Sequence, residues 1–162
     1  MKSPSPLIRN ISMVCSVALG GTLLIAGVSE LNTAARFAEI IANYRILGAV
    51  GSQFLAVVLP WCEVCTGLLL LVRIWPRASG ITAALLFTMF GIAVSSALIR
   101  GLNIECGCFG TSSGARVGLK LLAIDLGGLA ASAFVIGVAE ELDAKPTLST
   151  VVSREGAQNA ER

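Results

Sequence analysis

Ala78 to Ile99 reads ASGITAALLFTMFGIAVSSALI, 22 residues without a charge between Arg77 and Arg100. At 1.5 Å rise per residue, a helix of that length covers a hydrocarbon core of roughly 30 Å. The run therefore predicts a membrane-spanning helix, and it sets the scale for the rest of the chain. Asn10 to Ser29 is a second charge-free run, bounded by Arg9 and Glu30. A secretory signal peptide competes there, with Lys2 and Arg9 as its basic end. The apolar stretch is long for that purpose, and Ala26-Gly27-Val28 makes a mediocre cleavage site, so a retained helix is the reading. Ile46 to Val72 is a third span, interrupted by Pro60 and Glu63, and Leu121 to Ala139 is a fourth, with Asp125 near its start. A proline in such a helix removes one hydrogen bond and favours a kink that neighbouring helices absorb.

Composition agrees with four spans. Hydrophobic residues make up 55% of the 162 and charged residues 14%, where a soluble domain carries about 25% charge. Mean hydropathy is +0.82. The expectation is an all-α integral membrane four-helix bundle over residues 10–139, with a short N-terminal segment 1–9, a loop 100–120 and a polar tail 140–162 read as disordered. The net charge of +2 comes with no basic cluster, so nothing points to nucleic acid. Histidine is absent, which removes His-based acid/base catalysis, His-ligated haem and the commonest zinc or copper ligand. Chemistry falls to Cys, carboxylates, Arg, Tyr or Trp.

With the N-terminus inside, Lys2, Arg9, Arg73, Arg77, Lys145 and Arg154 lie near cytoplasmic helix ends. Arg36, Arg45, Arg100, Arg116 and Lys120 lie outside. The short basic turn Arg73–Arg77 is the strongest part of this positive-inside pattern, which gives a multi-pass protein of the bacterial inner membrane with both ends cytoplasmic. Between the first two spans, Phe37, Ile40, Ile41 and Tyr44 fall at helical spacing among Arg36, Glu39 and Arg45. An interfacial amphipathic helix and an ordinary polar connection with one half-buried face both fit that pattern.

The five cysteines then ask for a redox role. Cys62-Glu63-Val64-Cys65 places two thiols at i and i+3 of a helix, on one face and within disulfide reach. Cys106-Gly107-Cys108 is a second couple, in the loop between spans three and four, where the glycine permits a tight turn. A bridge across one intervening residue is strained, and strained bridges are the exchangeable ones. Both couples lie toward one membrane face, the periplasmic one in this orientation, where disulfide chemistry is sustained. A relay follows: a soluble partner exchanges with Cys106/Cys108, these with Cys62/Cys65, and the electrons pass on to a membrane quinone flanked by Trp61. Cys62 lies about 16 Å along the helix from Arg73, close to mid-bilayer, so exchange with the loop needs a cavity or an inward fold. Small buried packing residues are the plainer reading of Cys62 and Cys65. Cys15 reads as core filling.

Glu63, an ionisable group within a span, is a candidate base for thiol deprotonation, or else a carboxyl paired with Arg45, Arg100 or another buried polar group. Asp125 reads as a partner of Lys120 or Arg116. Trp61 serves equally as an interfacial anchor. Four thiolates could instead hold zinc or an iron–sulfur cluster, although a charged cluster in hydrocarbon is costly.

Phe37-Ala38-Glu39-Ile40-Ile41-Ala42-Asn43-Tyr44-Arg45, Leu59-Pro60-Trp61-Cys62-Glu63 and Cys106-Gly107-Cys108-Phe109-Gly110 together resemble the methylamine utilisation protein MauE family, within the DoxX-like membrane proteins. The resemblance covers roughly Val17 to Val135. It implies a four-helix bundle that assists periplasmic redox maturation, alongside a thioredoxin-like partner, by supporting disulfide formation in the small subunit of methylamine dehydrogenase. Cys106 and Cys108 match the family's loop cysteines, and Pro60, Trp61 and Glu63 match its L-P-W-x-E run. Glu30, Gly48 and Ile124 depart from the lysine, proline and arginine usual there, and Cys62 and Cys65 replace aliphatic or small residues. A non-catalytic scaffold for a thioredoxin-like protein, a Cys-ligated metal protein and a sulfide- or thiosulfate-linked quinone reductase are the competing functions.

Overall fold

In the computed structural model, residues 5–46, 48–102 and 118–160 are described, with side chains as far as Glu141. Five helices follow one another: α1 Pro6–Leu31, α2 Ala34–Asn43, α3 Ala49–Val72, α4 Pro76–Ile99 and α5 Leu119–Ala160. Four of them, α1, α3, α4 and the Leu119–Glu141 part of α5, are long and apolar enough to cross a membrane. The all-α four-span architecture read from the sequence is the one the chain adopts. Helices overrun the charge-free stretches at several ends. Ser5 caps α1 through its side chain on the Ile8 amide, and Pro6 and Pro76 open α1 and α4 at the first turn, where a missing N–H costs nothing. α5 continues to Ala160, through residues whose composition reads as a disordered tail.

Two antiparallel pairs, α1 with α3 and α4 with α5, form the bundle, and α1–α5 and α3–α4 contacts join them. The buried positions of α1 run Ser12, Ser16, Leu19, Gly20, Leu23, Ala26, Gly27, Glu30, and those of α3 run Ser52, Ala56, Leu59, Pro60, Glu63, Thr66, Gly67, Leu70. Each is a single stripe at three- and four-residue spacing, rich in small residues, as close packing of helices in lipid requires. Gly20 faces Gly67, where a Cβ on either would lie 2.8 Å from the other's carbonyl oxygen. Gly27 likewise faces Pro60, at 2.7 Å. In the second pair Gly128 accepts the Phe87 ring and Gly80 lies against Ile136.

The buried hydroxyls of Ser16, Ser52, Ser79 and Ser132 each donate to a carbonyl four residues back, which satisfies them without water. Large apolar side chains such as Val14, Phe54, Val57, Leu85, Ile92 and Leu126 point outward. In water that surface would drive association; in a bilayer it is the expected exterior.

The turn Arg73–Trp75 closes α3 onto α4 with left-handed backbone at both Arg73 and Trp75. On that face Arg77 pairs with Glu140 at 3.1 Å. At the other face lie the end of α1, α2, the start of α3, the end of α4 and the start of α5. There α2 is an amphipathic helix, with Phe37, Ile40 and Tyr44 buried and Arg36 and Glu39 exposed, packed mainly on α3. The Arg100 guanidinium donates to the Tyr44 carbonyl at 2.7 Å. One bond thus ties the connection after α1 to the connection after α4.

Candidate functional site

Residues 103–117, including Cys106, Cys108 and Arg116, lie outside the described residues. Their flanks are placed: Leu102 packs beside Ile40, Tyr44 and Ala97, and α5 starts at Leu119. Both described flanks thus lie at the α2 face.

The cysteines of α3 are free thiols exposed on the outer surface of the bundle, and Trp61 beside them is also exposed. Cys62 stands 13 residues after Ala49, about 20 Å of helix from the α2 face. Cys15 is half-buried and packs against the main apolar cluster, which includes Leu19, Leu23, Leu59 and Phe87. Among the described residues no group of three or more His, Cys, Asp or Glu is arranged to hold a metal ion.

Glu63 points the other way from the α3 thiols. It is 0% exposed in the α1–α3 seam, and neither carboxyl oxygen has a hydrogen-bond partner. No ion pair to Arg45 or Arg100 forms. Its neighbour is Glu30, 1% exposed, whose two oxygens also lack partners. The Glu63 Cβ lies 3.0 Å from where a Gly27 side chain would begin, one turn before Glu30 on α1. The two carboxyls approach closely enough to interact, without closing a hydrogen bond of good geometry.

Asp125 is the third inward carboxyl, 6% exposed, with Oδ2 unpartnered, and it makes no ion pair with Lys120. It shares a cavity of about 30 Å³ with Glu63, walled by Thr22, Leu23, Ala26 and Phe87. Asp125 also borders a groove of about 550 Å³ between α4 and α5, whose wall includes Ser95, Ser96 and Arg100. Tyr44, buried at the end of α2, has its phenol pushed up to about 12, first by burial and then by the Asp125 charge.

The sequence singles out Glu63 and Asp125 as inward carboxyls but not Glu30, which reads there as the boundary of a charge-free run and as a departure from the family's usual lysine. The signal lies in spacing: Glu30 continues the stripe Leu23, Ala26, Gly27 at the same three- and four-residue steps, so it faces inward despite its charge.

Fold and sequence define a four-span helical membrane protein with carboxyls in its interior and a C-G-C motif between its third and fourth spans. The family model described as methylamine utilisation protein MauE matches residues 8–138. The chain belongs to that family. It is 30% identical over 136 residues to the methylamine utilization protein MauE of Methylophilus methylotrophus, covering 82% of this chain and 70% of the relative. It is 32% identical over 96 residues to that of Paracoccus denitrificans, covering 59% and 48%. With that of Methylorubrum extorquens it shares 32% over 113 residues, covering 69% and 60%. The chain thus spans about half to two thirds of most of these relatives. No solved structure matches it.

Proposed function

We propose that this protein supports thiol–disulfide maturation of an extracytoplasmic partner, with Cys106 and Cys108 as the exchanging couple. The observations that support the reading are the C-G-C motif between α4 and α5 and the Arg100–Tyr44 bond, which sets the end of α4 beside the end of α2, in a chain of the MauE family. The face bearing the basic Arg73–Arg77 turn is then cytoplasmic and the α2 face periplasmic. In the exchange, two thiols of a thioredoxin-like partner or of a disulfide-containing client become a disulfide. The Cys106–Cys108 bridge takes up the two electrons and two protons and opens to two thiols. The small subunit of methylamine dehydrogenase is the client that the family resemblance supplies.

Reoxidation of the couple is assigned to a membrane quinone. The opened Cys106 and Cys108 thiols reduce a Cys62–Cys65 disulfide by exchange once their connection reaches it. The α3 dithiol so formed gives both electrons and both protons to the quinone, which leaves as quinol. The exposed position of Cys62, Cys65 and Trp61 on the lipid side supports this part, because a lipid-soluble oxidant reaches them without a channel.

Cys106→Ser and Cys108→Ser should each abolish client disulfide formation while membrane insertion is retained. Normal client oxidation in the double variant contradicts the proposal and favours a scaffold, for which Cys-to-Ser changes are silent and shortening of residues 100–120 is damaging. For the quinone step, purified protein supplied with a reduced thioredoxin-like partner should reduce added quinone. Cys62→Ser and Cys65→Ser should stop that reduction, and an unchanged rate in both assigns the oxidant to another site.

A further inference from the structure

We propose that Glu30, Glu63 and Asp125 form a proton-binding track inside the bundle, entered from the α4–α5 groove at Asp125 and ending on the Glu30–Glu63 pair. The proposal does not rest on thiol chemistry, and its ligand is a proton carried with one water.

Four carboxyl oxygens, on two side chains 1% and 0% exposed, find no hydrogen-bond donor among the described residues. Two charged carboxylates side by side in that setting would combine lost hydration with mutual repulsion. A proton held between them removes both costs, because one carboxyl becomes the donor that the other lacks. The pair is built into the close α1–α3 seam, where Gly27 meets the Pro60 carbonyl, so the side chains have little room to turn toward lipid or water.

Entry follows from the cavities. The space of about 30 Å³ shared by Glu63 and Asp125 is large enough for one water, with both carboxyl residues and Thr22 in its wall. Asp125 borders that cavity and the α4–α5 groove alike, so it stands between the groove and the interior. The titratable and charged groups facing this track are few. α1 supplies Glu30, the end of α2 supplies Tyr44, α3 supplies Glu63 and α5 supplies Asp125, with Lys120 one turn earlier. α4 has no ionisable residue between Arg77 and Arg100, and Arg100 lies at the groove mouth. A proton passes to Asp125 from the Arg100 end of the groove, where it meets the interface, then across the cavity to Glu63, and is shared with Glu30; no bond to carbon or sulfur changes.

Infrared spectroscopy of the full chain in lipid vesicles at neutral pH tests this directly. The wild type should show a carboxylic acid C=O band that shifts in D₂O, and Glu30→Gln/Glu63→Gln should lack it. Dicyclohexylcarbodiimide, an apolar reagent for protonated carboxyls, should modify Glu30 or Glu63, as read by mass spectrometry. Asp125→Asn should slow the H/D shift of the band by about 100-fold, the scale of a lost proton-transfer group. Absence of the band in the wild type overturns the proposal without any variant. A wild-type exchange rate in Asp125→Asn overturns the route. Protection from the reagent by sodium, potassium or magnesium salts would show a cation site and overturn the assignment to a proton.

Discussion

Glycines 20, 27 and 67 set how closely α1 and α3 approach, because the facing backbone oxygens leave no space for a side chain. Gly67→Val should therefore force the pair apart. The cost expected of overpacking is about 1–3 kcal/mol, read as a lower unfolding midpoint in detergent, while Gly21→Ala, where nothing lies within 4 Å, should be near neutral. At this scale the sequence is legible wherever residue type and depth coincide. Glu63 declares itself as a charge inside a span, and its burial follows. Its partner does not, because hydropathy ends the first span at Glu30 while packing carries the buried stripe one step further. The α3 cysteines show the opposite difficulty. Their i, i+3 spacing is visible in the sequence, but which side of α3 faces lipid depends on where α1 packs.

For single elements, lengths were legible and ends less so. Charge marks where a span meets water, whereas the helix ends are set by Ser5, Pro6, Gly48 and Pro76, so α1 begins at Pro6 and includes Arg9. Long basic side chains tolerate this because they reach the interface from within a helix. The segment between the first two spans admits two readings from composition, and its packing against α3 settles it as an amphipathic helix. Arg100 is the clasp of that arrangement. Arg100→Gln should lose about 1 kcal/mol and raise hydrogen exchange across Ala34–Asn43 while leaving α1 and α5 protected. The phenol of Tyr44 supplies a pH observable. With its titration raised to about 12, its absorbance should not show phenolate near pH 10, and Asp125→Asn should bring the transition down by removing the repelling charge.

Across the whole molecule, two antiparallel pairs place everything reactive by topology. An even number of spans puts both chain ends with the Arg73–Arg77 turn, and it puts α2 and the C-G-C connection together at the opposite face. Parity of the hydrophobic runs made this much readable from sequence, since two odd-numbered connections must share a side. The interior carboxyl track was not readable as a unit, because Glu30, Glu63 and Asp125 meet only through the packing of α1, α3 and α5. The central functional claim is that Cys106 and Cys108 exchange disulfides with a soluble partner at the periplasmic face. Its most direct measurement is thiol trapping in intact cells, with Cys15, Cys62 and Cys65 changed to serine and Cys108→Ser added to stall the exchange. Cys106 should then be caught in a reducible mixed disulfide, its thiol attacking the disulfide of an oxidised thioredoxin-like protein or client and displacing one of that partner's thiols. Cys106 in uncaught copies should react with a membrane-impermeant maleimide. No adduct, together with labelling only by a membrane-permeant reagent, would place the couple on the cytoplasmic side and contradict the account.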